Sequence, residues 1–157
     1  MKKLLIIRHA KASHDSDYED FDRPLKKSGI KDAEQLAKKL ETEGLIPQKM
    51  FTSPALRAKT TAEIVAKHLD LPELGFIDEV YEASESALLK MINQFPNQYD
   101  FVALSGHNPG LSYIITYLTG DYCNLDTCAA ALLIFDTDIW NAISADTGKI
   151  SWFNEPN

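Results

Sequence analysis

The chain has 157 residues, is 45% hydrophobic and 25% charged, and carries a formal charge of −7 at pH 7. That length buries a core without metal or disulfide staples, and the composition excludes global disorder. The acidic balance excludes a broad nucleic-acid surface, which needs pooled Lys and Arg charge, but it leaves room for a small cationic pocket inside an acidic shell.

Met1-Lys2-Lys3 precedes only four aliphatic residues before Arg8-His9, too short a run for a signal peptide, so the start reads as that of a mature cytoplasmic protein. No stretch approaches the ~18 apolar residues of a membrane span. Cys123 and Cys128 form no CxxC pair and read as two reduced thiols.

In chain order, Leu4–Ile7 is a continuous aliphatic run, the pattern of a strand buried on both faces. A loop rich in Asp and Ser follows, and Ser28-Gly29 opens a helix whose Ala33, Leu36, Ala37 and Leu40 share one face. Gly44 stops it and Pro47 prevents its continuation. Lys49–Thr52 is a short strand, after which Ser53 is placed to cap a helix with Pro54 in its first position, running from Ala55 to Leu69. Phe76-Ile77 is a weaker strand that ends near Tyr81-Glu82. Ser84 and Glu85 then open a helix through Leu88, Leu89, Ile92 and Phe95. Phe101–Leu104 is a second buried strand, Leu111–Leu118 a helix ended by Gly120, and residues 129–135 and 149–153 read as two antiparallel strands.

No linker, repeat or low-complexity tract divides the chain, so residues 1–157 read as one domain. Alternating strands and helices with uniformly apolar strands predict an α/β fold: a three-layer α/β/α sandwich on a mostly parallel central sheet, with an antiparallel C-terminal strand. In such folds ligands bind beyond the carboxyl ends of the strands. Arg8-His9, Ser53 to Arg57 and Ser105 to His107 all follow strands, so three distant segments should open onto one crevice.

Two histidines and two arginines there describe an anion site, because a guanidinium matches phosphate oxygens and stays charged at cellular pH. A metal centre is the competing use of His9 and His107, disfavoured because neither has an Asp or Glu beside it. There is no GxxxxGK loop for a nucleoside triphosphate and no GxSxG elbow for a serine nucleophile. With phosphate held by arginines, an imidazole can attack phosphorus and carry the phosphoryl group covalently. A leaving group then needs a proton from a carboxylic acid. Glu82 is the best placed, with Glu79 and Glu85 as fallbacks. Ser13 and Asn108 could each donate a hydrogen bond to phosphate. Arg23 either pairs with an acid of its loop or lines the rim. The acidic run 15–22 reads as a solvated loop, His14 and His68 as surface residues, and Trp140 and Trp152 as packing.

Arg8-His9-Ala10-Lys11-Ala12-Ser13 resembles the Arg-His-Gly signature of the histidine phosphatase superfamily, with Ala10 in place of Gly. Ser53-Pro54-Ala55-Leu56-Arg57-Ala58 is similar to its second arginine segment, and Gly106-His107-Asn108-Pro109-Gly110 to its second histidine segment. Asp20-Phe21-Asp22-Arg23-Pro24-Leu25, Tyr81-Glu82-Ala83-Ser84 and the short length resemble the small SixA-type phosphohistidine phosphatases.

The resemblance implies a phosphoglycerate-mutase-like fold and a metal-independent, cofactor-free phosphatase. It makes His9 the nucleophile, Arg8 and Arg57 the phosphoryl ligands, His107 a further phosphoryl contact and Glu82 the proton donor. The expected substrate is protein phosphohistidine, as on a phosphorelay domain, with a small phosphate ester as the alternative. No nucleic-acid or membrane partner is expected, and the sequence does not fix an oligomeric state. A non-catalytic module that reads phosphorylated partners is the rival from another class. The presence of a nucleophile speaks against it.

Overall fold

The computed structural model describes residues 1–156. Its strands are β1 (Lys2–Arg8), β2 (Lys49–Thr52), β3 (Gly75–Phe76), β4 (Phe101–Gly106), β5 (Ala130–Phe135) and β6 (Gly148–Asn154), and its helices are α1 (Lys27–Thr42), α2 (Leu56–His68), α3 (Glu85–Asn93) and α4 (Gly110–Thr119). They build one six-stranded sheet in the order β3-β2-β4-β1-β5-β6. β3, β2, β4 and β1 pair in parallel, while β5 runs against both β1 and β6. The opposed strand is therefore the penultimate one.

The period-2 alternation of the central strands divides the core between the two faces. Leu4 and Ile6 of β1, Val102 and Leu104 of β4, and Leu133 of β5 pack with the apolar sides of α3 and α4. Leu5 and Ile7, Met50 of β2, and Leu132 of β5 pack with Ala33, Leu36 and Leu40 of α1 and with Val65 of α2. A sheet covered on both sides is why its central strands read as unbroken apolar runs. None of the described helices is long and apolar enough to cross a membrane.

Three details differ from the sequence expectation. The helix expected to start at Ser53-Pro54 starts at Leu56 with Ala55, in a non-helical conformation, as its cap residue; Ser53 Oγ still accepts the Ala55 N–H at 3.2 Å, just ahead of the helix. Gly29 lies inside α1, where a Cβ would overlap the Lys11 carbonyl oxygen, so close backbone approach selects Gly there. Lys2 belongs to β1 and is fully buried, donating from Nζ to the carbonyl oxygens of Asn97 and Tyr99 and to the Asp100 carboxylate at 2.9 Å each. Three acceptors make burial of its ammonium tolerable.

Candidate active site

β1 and β4 are paired neighbours, with Arg8 opposite Gly106, so His9 and His107, the residues that follow them, emerge side by side with ring centroids 5.3 Å apart. His9 is 8% exposed, and its Nδ1 lies 2.8 Å from the Ala10 carbonyl oxygen. A carbonyl only accepts, so that contact places the ring proton on Nδ1 and leaves the Nε2 lone pair free. Arg57 Nε donates to that Nε2 at 3.3 Å. Burial is the main force holding the His9 pKa down at about 4; the Ala10 hydrogen bond opposes it, and Arg57, Arg8 and Arg23 add to it. At neutral pH His9 is an uncharged base with its Nε2 lone pair fixed in direction.

His107 Nε2 lies 2.8 Å from Ser53 Oγ, which also accepts from the Ala55 N–H at 3.2 Å. Where the Ser53 hydroxyl donates to Nε2, the His107 ring proton sits on Nδ1. Burial first, and then Arg57 and His9, hold the His107 pKa down at about 3. Its Nδ1 is buried without a protein partner, as is Arg8 Nε, while Arg8 Nη1 is anchored on the Leu125 carbonyl oxygen at 2.9 Å. Arg8 Nε–H, and His107 Nδ1–H in that tautomer, are orphaned donors on residues lining one cavity, which an oxyanion would satisfy.

Arg57 enters from the first turn of α2 and is 6% exposed. Its far edge is held by Asp20, through Nη1 to the backbone oxygen at 2.6 Å and Nη2 to the carboxylate at 3.2 Å. The same carboxylate accepts from Arg23 Nη1 at 3.0 Å and from the Tyr81 hydroxyl at 2.5 Å. The Tyr81 hydrogen bond, with Arg23 and Arg57, holds the Asp20 carboxyl down at about 2. The acidic run is thus not merely a solvated loop, because Asp20 straps the β1–α1 loop to Arg57 and to Tyr81. Arg23 fills both roles expected of it, pairing with Asp20 and lining the cavity, and its Nε also donates to the Ser13 carbonyl at 2.7 Å.

A cavity of about 270 Å³ is lined by Arg8, His9, Arg57, His107 and Asn108 and, beyond them, by Lys11, His14, Arg23, Lys26 and Thr127. Lys26 and Thr127 had no sequence motif to mark them, Lys11 stood in the Arg8–Ser13 motif without a role of its own, and His14 stands in this wall rather than merely on the surface. Ser13 is not in the wall: its hydroxyl accepts from the Asp15 N–H at 3.1 Å. Asn108 is in the wall, but its amide donates to the Leu125 carbonyl and accepts from Ser112, so it braces the loop before α4.

On the other side of Arg57 and His107, a second cavity of about 340 Å³ is lined by Asp20, Tyr81 and Glu82. Glu82 is exposed and has φ 56°, a left-handed conformation that a non-glycine residue holds only where its surroundings demand it. Glu79 and Glu85 line other depressions and share neither cavity. Among the described residues, no group of three or more His, Cys, Asp or Glu is arranged to hold a metal ion.

A model described as "Histidine phosphatase superfamily (branch 1)" matches residues 4–99. An uncharacterised chloroplastic protein of Arabidopsis thaliana is 30% identical over 96% of this chain and 74% of its own length. The solved structure of the protein histidine phosphatase SixA complexed with tungstate superposes with a TM-score of 0.84 at 24% identity, covering 96% of this chain and 95% of that one. A phosphoserine phosphatase of Entamoeba histolytica, in complex with 3-phosphoglyceric acid, gives a TM-score of 0.69 at 16% identity over 99% and 98% of the two chains.

Proposed function

This chain belongs to the histidine phosphatase superfamily, and on that premise we propose that it hydrolyses phosphohistidine on a protein through a covalent intermediate on His9. The observation that carries this reading is the state of His9: uncharged, its Nδ1–H spent on Ala10, its Nε2 lone pair facing Arg57 Nε in a cavity that Arg8 and His107, each with an unpartnered nitrogen, also line.

When a phosphoryl group enters, Arg8 Nε, Arg57 Nε and His107 Nδ1–H take its oxygens, and the Arg57 contact to His9 Nε2 gives way. The Nε2 lone pair forms a bond to phosphorus as the bond from phosphorus to the leaving nitrogen breaks and that nitrogen keeps the electron pair. The charge spreading over the equatorial oxygens falls on donors already in place, at no reorganisation cost. Glu82, in its acid form, gives the leaving group a proton. In the second step a water molecule gives that proton back to Glu82 as its oxygen bonds to phosphorus. The bond to His9 breaks, its electron pair returns to Nε2, and inorganic phosphate leaves.

Incubation with a histidine-phosphorylated phosphorelay domain tests the reading. Phosphate should be released, with a transient acid-labile label on the wild type and none on His9→Ala. Equal binding by both proteins without release would make the chain a phosphate reader. Turnover that persists in EDTA is expected of a mechanism without a metal, and its loss would count against one.

A further inference from the structure

The cationic cavity is larger than the reaction needs. At about 270 Å³ it holds on the order of nine water volumes of ~30 Å³ each, and a single phosphoryl group fills part of that. Its far wall is made by Lys11, His14, Arg23 and Lys26, and no Asp or Glu lines it among the described residues. In a chain of net charge −7 such a wall is selective.

The backbone presents two of these cations deliberately. Segments 11–13 and 24–26 form a short antiparallel ladder, with Ala12 bridged to Leu25, Lys26 N–H donating to the Lys11 carbonyl at 2.9 Å and Ser13 N–H to the Pro24 carbonyl at 2.8 Å. This register sets Lys11 directly opposite Lys26, a like-charge cross-strand pair that repels. Lys26 has no ion pair among the described residues, and Lys11 has only Asp32, at 4.0 Å. The ladder is fixed from behind, where the Lys11 carbonyl packs on Gly29. Two like charges that the backbone register brings to the wall of one cavity are the kind of local conflict a ligand resolves.

We propose that Lys11 and Lys26 form a second anion subsite, so that the enzyme prefers a phosphoryl group flanked by another anionic group. On a protein substrate this would be a carboxylate beside the phosphohistidine; on a small ester it would be a second phosphate or a carboxylate. The inference rests on the cavity being the phosphoryl site.

Calorimetric titration of the full chain with methylphosphonate, which has one anionic group, and methylenebisphosphonate, which has two, tests it. The wild type should bind the bisphosphonate at least about tenfold more tightly. Lys11→Met/Lys26→Met should bring the two affinities within about threefold of each other, with little loss for methylphosphonate and no fall in Tm, since a repulsion has been removed. Equal affinities in the wild type, or a preference that survives the double substitution, overturn the second subsite. Failure of both probes to bind would overturn the phosphoryl site itself. The ratio of kcat/KM for phosphohistidine peptides with Glu or Gln beside the histidine locates the anion. A Glu preference lost in the double variant places it on a protein substrate, and a preference confined to the bisphosphonate places it on a small ester.

Discussion

Two cavities share Arg57 and His107, and their remaining walls differ in sign. One is cationic, carrying Arg8, Lys11, Arg23 and Lys26 around His9, while the other carries Asp20, Tyr81 and Glu82. The proposed reaction uses this division: Arg8 and Arg57 would supply fixed positive charge where the equatorial oxygens spread, and Glu82 a proton where the leaving group departs. It also explains how a chain of net charge −7 can hold a phosphate, since the exception is confined to one side of one crevice.

The sharpest way to break the division is to remove charge from the cationic side. Arg57→Ala should lower kcat/KM by about 10³-fold, the upper end for loss of one preorganised donor. Arg57→Lys should recover only part of it, because an ammonium keeps the charge but not the fork. Steady-state rates on an aryl phosphate read this directly, and a loss under tenfold would remove Arg57 from the phosphoryl site.

The same wall makes a pH prediction. The folded protein holds His9 at about 4, against ~6.5 in the unfolded chain. Between these values the unfolded chain binds a proton that the folded one refuses, so stability rises with pH across the window and is lost on acidification from about 6.5 to 4. For His9 the loss is roughly 3 kcal/mol, a few hundredfold in the folding equilibrium. His107, held at about 3, extends the loss to lower pH. Urea unfolding at pH 7 and pH 4.5 should show the drop, and His9→Asn should remove about half of it, since His107 contributes over the same window. An unchanged slope would mean that the ring is not buried as a neutral base.

On the acidic side, Glu82→Gln should slow phosphomonoesters with poor leaving groups by about 10²-fold while leaving phosphohistidine much less affected, since imidazole departs with less help from an acid. Equal losses on both substrates would sink Glu82 as the donor.

How legible these walls were differs for a physical reason. The cationic core follows from strand order. Unbroken apolar runs announced β1 and β4, and the rule that ligands sit beyond strand ends gathered Arg8, His9, Arg57 and His107 before any coordinates. The outer cations and Asp20 lie in the β1–α1 loop, whose path is set by the 12–25 bridge and by Gly29 against Lys11, contacts with no periodic signature. Ser53 was seen as a helix cap because Ser-Pro before a helix has that meaning locally. Its service to His107 exists only once β2 and β4 are paired. Nothing in sequence reveals the burial of Lys2, because the Asn97 and Tyr99 carbonyls that receive its ammonium are 95 and 97 residues away.

The smallest expected effect decides whether the acidic wall serves or opposes the cationic one. Asp20 grips the Nη1 and Nη2 end of Arg57 and leaves the Nε edge turned to His9. A phosphoryl group approaching His9 meets that free edge, so the carboxylate orients the guanidinium without competing for it. Asp20→Ala should therefore lower kcat/KM about tenfold, the equivalent of one ordinary charge-assisted hydrogen bond. Asp20→Asn should fall between it and the wild type. Tyr81→Phe, which removes only the hydroxyl that steadies the carboxylate, should cost about threefold. The opposite sign is informative too: if Asp20→Ala bound inorganic phosphate more tightly and kept its rate, Asp20 would be a resident competitor that substrate must displace, and the two walls would be antagonists across Arg57.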